Sequence, residues 1–83
     1  MSKLNLEVIS KAGIVFSGQC VQAVIPCIEG EIGFMIGHEV VVAIIKEGKI
    51  KVLGDNDKLI EEIDVTGGYV EMKGDGNLVA LID

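Results

Sequence analysis

An all-β fold, a small antiparallel β-sandwich or flattened barrel, is what this sequence predicts, and three observations carry that expectation. Apolar residues make up 49% of the 83 positions while aromatics supply only 4% and Trp is absent, so the core must be built from Val, Ile, Leu and Met, which favours strands. The apolar positions repeat with a period of two, and no window offers a helical stripe. Glycine-containing turn signals arrive about every eight to twelve residues, the spacing of short strands in a sandwich or barrel. A chain of this length supports one core, so residues 1–83 are expected to form a single domain.

Taken in order, Leu4, Leu6 and Val8 alternate with Asn5, Glu7 and Ile9, and the first strand ends at Ser10. Lys11-Ala12-Gly13 turns the chain, Ile14-Val15-Phe16 follows, and Ser17-Gly18 is expected to turn or bulge it again before Cys20 to Ile25, with Pro26 as the stop. The stretch from Cys27 to Glu39, with Gly30, Gly33 and Gly37, is too glycine-rich for a helix and is expected to be an ordered loop. Val40 to Ile45 is an aliphatic run that suits a strand covered on both faces. Lys46-Glu47-Gly48 is expected to close a hairpin into a strand whose Lys49 and Lys51 face out while Ile50 and Val52 face in. Beyond the turn Gly54-Asp55-Asn56-Asp57, Leu59 to Val65 pairs back and Thr66-Gly67-Gly68 bends. Val70 and Met72 then alternate with Tyr69, Glu71 and Lys73, and Gly74-Asp75-Gly76-Asn77 leads into the last strand, Leu78 to Ile82.

A net charge of −6 repels phosphate backbones and anionic lipid, so neither nucleic-acid binding nor direct lipid insertion is expected. The longest aliphatic run, Val40 to Ile45, is far short of the roughly 20 residues of a spanning helix. Glu7 interrupts any signal-peptide core, so the chain is expected to begin where its fold begins. Between Lys11 and Lys46 there is no lysine or arginine, and the acids there are Glu29, Glu31 and Glu39, which gives one half of the domain an unscreened acidic edge. Cys20 and Cys27 lack the Cys-x-x-Cys spacing and read as small buried apolar residues.

Catalytic and metal chemistry find no constellation. His38 is the single histidine, with no second ligand and no triad around it. Asp55-Asn56-Asp57 begins like a calcium loop, but Ile60 stands where that loop requires glycine. No Gly-Lys-Ser or Gly-Lys-Thr occurs, and Gly30-Glu31-Ile32-Gly33 would aim a carboxylate at any phosphate. No catalytic residue, cofactor or metal is therefore expected. Ile32, Phe34, Met35 and Ile36, set between the acids and His38, suit a contact surface better than a simple solvated connection.

At this segment the sequence resembles a known family. Glu29-Gly30-Glu31-Ile32-Gly33-Phe34-Met35-Ile36-Gly37-His38 is similar to the signature of ATP synthase epsilon subunits, Glu-Gly-Glu-Leu-Gly, three variable or proline-containing positions, then Gly-His. Leu6-Glu7-Val8-Ile9-Ser10, Val15-Phe16-Ser17-Gly18, Lys46-Glu47-Gly48-Lys49-Ile50 and Thr66-Gly67-Gly68-Tyr69-Val70-Glu71 resemble further motifs of that family in the same order, from Leu4 to Asp83. The resemblance implies a ten-stranded β-sandwich, a non-catalytic rotor part at the foot of the central stalk between the gamma subunit and the membrane ring of c subunits, without a cofactor. It implies peripheral attachment on the cytoplasmic face of a bacterial plasma membrane. Residues 29 to 33 (Glu29, Gly30, Glu31, Ile32 and Gly33) match the loop that meets the c-ring, with the Glu31 carboxylate facing basic groups, and Ser10, His38 and Ala43 match positions toward gamma.

Departures accompany the match. Ile36 and Glu47 replace prolines of the family pattern, freeing two loops of a fixed φ, and Glu39-Val40-Val41 stands where Ala-Pro-Leu is common. The sequence ends at Asp83, where family members continue into a C-terminal helical hairpin, so the expectation is a chain that joins the rotor with little hairpin-type inhibition and no ATP binding. Two alternatives stay open here. One is a generic interaction sandwich, and the other is a biotinyl or lipoyl carrier bearing its cofactor on Lys73, against which Gly74 stands where a carrier has a second Met.

Overall fold

The structure, a computed structural model, describes residues 3–37 and 41–83. These form a nine-stranded sheet: β1 (Leu4–Ser10), β2 (Gly13–Cys20), β3 (Gln22–Cys27), β4 (Gly30–Met35), β5 (Val41–Ile45), β6 (Gly48–Leu53), β7 (Leu59–Val65), β8 (Gly68–Met72) and β9 (Asn77–Ile82). One limb runs β2-β1-β9-β8-β5 and the other β4-β3-β6-β7, the two being joined where Cys27 of β3 pairs with Ile45 of β5. The inward rows of both limbs meet in one core that includes Leu4, Leu6, Val8, Ile25, Phe34, Ile50, Val52, Val70, Met72 and Leu78. The all-β sandwich expected from the period of two is thus what forms, with Leu4, Leu6 and Val8 buried and Ile50 and Val52 inward of Lys49 and Lys51.

Hairpins join partners within a limb, whereas the other connections carry the chain between limbs. Lys11-Ala12, Ile28-Glu29, the segment 54–58 and the segment 73–76 close the hairpins β1–β2, β3–β4, β6–β7 and β8–β9. The 54–58 turn is a short 3-10 turn in which Asn56 and Asp57 hold φ of 60° and 59°, a left-handed geometry that short polar side chains tolerate. Lys46–Gly48, expected to close a hairpin, does not: β5 pairs with β8 and β6 with β7, so this is a corner at which one chain changes limbs. Pro26 explains the corner. Its carbonyl accepts the Lys46 N–H at 2.9 Å on the edge where a proline has no N–H to return, so the ladder is interrupted there. Gly48 completes the bend, since a Cβ there would sit 3.0 Å from the Pro26 ring.

Other expectations are corrected by the same topology. Pro26 does not stop a strand but lies inside β3, and Ser17-Gly18 lies within β2, whose irregularity falls earlier, between the Val8 and Ile9 pairs. Residues 30–35, expected as a loop, form strand β4, because the two-residue turn Ile28-Glu29 folds them back along β3 and a glycine-rich strand is tolerated when paired along its full length. Val41, Val42 and Ile44 are exposed, so β5 is not covered on both faces; Val40 lies outside the described residues. The pair β1–β9 is parallel, a direction that alternation along one strand does not encode. At the Thr66-Gly67 crossing, Gly68 holds φ +130° with the Leu81 carbonyl against its Cα, leaving no room for a side chain.

Candidate functional site

The β3–β4 hairpin carries the residues expected to matter. Cys27 faces Gly30 across the turn, Pro26 faces Glu31, Ile25 faces Ile32, Val24 faces Gly33 and Ala23 faces Phe34. This register buries Phe34 and tucks Ile32 against the core, while Glu29 and Glu31 stand in solvent. Gly30 holds φ +120°, a backbone geometry that favours glycine, whereas a Cβ at Gly33 would meet only the movable end of the Gln22 side chain.

The electrostatics of the hairpin are one-sided. The ion pairs among the described residues join Lys3 to Asp55 and Lys49 to Asp64 and Glu62, so neither Glu29 nor Glu31 is neutralised by a described cation. Burial, and then the charge of Glu29, push the Cys27 thiol above its ordinary value. No group of His, Cys, Asp and Glu among the described residues is placed to hold a metal ion. Both cysteines are free and buried, and burial pushes Cys20 up to about 11, so its thiol is held protonated. What this arrangement can do is present two exposed carboxylates, Glu29 in the turn and Glu31 on a strand anchored in the core through Phe34, which is recognition chemistry.

Residues 3–80 match the ATP synthase delta/epsilon chain β-sandwich domain. The chain belongs to that family. Among relatives of this delta/epsilon sandwich, the ATP synthase epsilon chain of Brevibacillus brevis is 33% identical over 75 residues, covering 90% of this chain and 56% of the relative. The epsilon chain of a Sulfurihydrogenibium species is 35% identical over 79 residues, covering 95% of this chain and 58% of its own length. The chain therefore spans little more than half of the relatives it matches. A chain in the cryo-EM structure of the Euglena gracilis mitochondrial ATP synthase superposes with a TM-score of 0.88 at 19% identity, over 99% of this chain and 51% of that one, which shows a shared fold. This membership removes the carrier alternative for Lys73, which stands exposed in the β8–β9 turn.

The delta/epsilon sandwich does not gather all the sequence-predicted residues. Glu29, Gly30, Glu31, Ile32 and Gly33 are together on the hairpin. Ser10 closes the β1–β2 turn instead, its hydroxyl accepting the Ala12 N–H at 3.2 Å and donating to the Gly13 carbonyl at 3.4 Å. Ala43 lies in the inward row Ala43–Val70–Ala80–Val8 and packs on the core, so its neighbours Val42 and Ile44 present the outward surface of β5. His38 lies outside the described residues. Sequence reasoning overlooked the outward face of β5 because a run of Val and Ile looks the same whether or not its second face is covered.

Proposed function

We propose that this domain is the rotor-side part of an ATP synthase epsilon chain, a non-catalytic central-stalk component that links the gamma subunit to the c-ring and couples proton flow to ATP synthesis. The carrying observation is the exposed, unneutralised Glu29–Glu31 hairpin on a sandwich of the delta/epsilon family. Glu31 meets basic groups of the c-ring polar loops, with Glu29, Gly30, Ile32 and Gly33 setting the shape of the contact. Ser10 and Ala43 help to shape the gamma-facing side, Ser10 by holding the β1–β2 turn. The domain sits as a peripheral component on the cytoplasmic side of a bacterial membrane, without inserting into lipid or binding nucleic acid. The test is reconstitution of epsilon-depleted ATP synthase with this chain. Restored proton pumping is the expected result, and failure to restore it with a folded chain would overturn the reading.

A further inference from the structure

The free edges of the sheet differ in charge. β2 and β7 end the strand path and β4 pairs with β3, so each is paired along one side only among the described residues. β7 carries Glu61, Glu62 and Asp64, and β4 carries Glu31. Charged side chains on an edge strand discourage a further strand from pairing with it. β2 is the longest of the nine strands and holds no charged residue and no proline. It lies within the longest uncharged stretch of the chain, Ala12 to Ile28. Alternate backbone N–H and C=O groups of β2 point away from β1, and no described strand runs along that side. Val15 is bulged between the Val8–Phe16 and Ile9–Ile14 pairs, which leaves Phe16 to Cys20 as the regular part of the edge.

Gly18 stands at the middle of that regular part, and the fold of one chain does not demand a glycine there. Its φ is not in the left-handed region, and a Cβ would make only ordinary contact, at 3.4 Å, with the Phe16 ring. Glycine inside a strand also marks a place where another backbone comes close. The charges around the edge select the partner. Glu7 lies opposite Ser17, Lys11 lies in the β1–β2 turn, and Lys3 at the far end is held 3.7 Å from Asp55. Lys73 and Asp75 share a cleft with Ser17, Gly18 and Gln19. These are three lysines and three carboxylates, so the surroundings of β2 balance although the whole chain carries −6. A cationic peptide finds no excess charge to neutralise here, whereas a second copy meets a surface that does not repel it. We propose that β2 pairs antiparallel with β2 of a second copy of this chain, about a two-fold axis at Gly18, which sets Phe16 opposite Cys20 and Ser17 opposite Gln19 of the other copy. Such pairing uses up the neutral edge of both chains and closes at a dimer, while the acids of β7 and β4 prevent further growth. Five residues from each chain bury far less than the roughly 1,200 Å² of a standard interface, so the dimer is weak. The inference goes beyond the rotor reading and does not rest on it.

The test is sedimentation equilibrium of the full chain up to about 1 mM, at about 20 mM and about 0.5 M NaCl, because salt screens the repulsion between the rest of the two surfaces. A monomer–dimer equilibrium is expected at high salt, with an association constant at least about fivefold above that at low salt. Amide hydrogen exchange should slow with concentration at alternate residues of β2 and at no residue of β4 or β7. Ser17→Glu sets two new carboxylates beside the two-fold axis and should weaken the dimer at least about tenfold. Leu59→Glu adds the same charge at an exposed position of the β7 edge and should track the parent. Amide dispersion checks that each variant is folded, and Glu31→Gln should not weaken the dimer, which separates this edge from the rotor reading. A monomer at about 1 mM in high salt, where even a weak edge pairing is populated, would overturn the proposal. So would equal losses for the two glutamate variants, protection centred on β4 or β7, or growth beyond a dimer.

Discussion

Two edges of this domain are acidic, and they differ in where their counter-charges come from. At the β6–β7 edge, Lys49 pairs across the ladder with Asp64 and Lys51 with Glu62, and the Lys49 ammonium lies 2.9 Å from Asp64 and 3.9 Å from Glu62. At the β4 edge, Glu29 and Glu31 have no such partner among the described ion pairs. The β7 carboxylates are partly consumed within the fold, whereas those of the hairpin remain available to another molecule. Counting acids along the sequence treats the two edges alike, and the pairing register separates them.

The largest effect tests whether the hairpin belongs to the core although its rim is charged. Phe34, on the inward side of β4, is 1% exposed among the core residues. Phe34→Ala should destabilise the domain by about 3–5 kcal/mol, read from denaturant midpoints. A loss close to zero would mean that β4 is a detachable flap and that its carboxylates are not rigidly presented.

A smaller effect belongs to the β7 edge. The hydrogen bond from Lys49 to Asp64, followed by the charges of Asp64 and Glu62, raises the lysine above its ordinary value of 10.5. A base whose folded value is raised contributes stability that is present below its unfolded value and fades as pH rises through the folded one. Because the pair is solvent-exposed, Lys49→Met should lower the melting temperature only slightly at neutral pH. The difference from the parent should vanish once pH exceeds the raised value. A gap that widens with pH would contradict the assignment of Lys49 as the neutralising group.

Much of this comparison was legible in the residues. The alternation of Leu4, Leu6 and Val8, of Ile50 and Val52, and of Val70 and Met72 announced the inward rows, and the lysine-free interval from Lys11 to Lys46 announced the acidic half. What stayed hidden depends on pairing between distant strands. Residues 30–35 read as a loop because glycine weakens a strand signal, yet β3 supplies the missing order. Lys46–Gly48 read as a hairpin because turn residues look alike at a corner and at a hairpin, and only the proline on the neighbouring strand distinguishes them. Ala43 matched a partner-facing position but is turned inward by its register with Val70, which hands the outer surface of β5 to Val42 and Ile44.

The central claim is that the hairpin carboxylate is free for a partner while Glu62 and Asp64 of β7 share Lys49 within the fold, and binding to an isolated c-ring across a salt series tests it most directly. Glu31→Gln should leave stability nearly unchanged, weaken binding about tenfold at low salt and flatten its salt dependence, since the lost term is a charge pair at the contact. Glu62→Gln removes the same unit of charge from the other acidic edge and should track the parent closely. Equal losses for Glu31→Gln and Glu62→Gln, with the same salt slope, would show that net charge alone governs the association and would contradict the account.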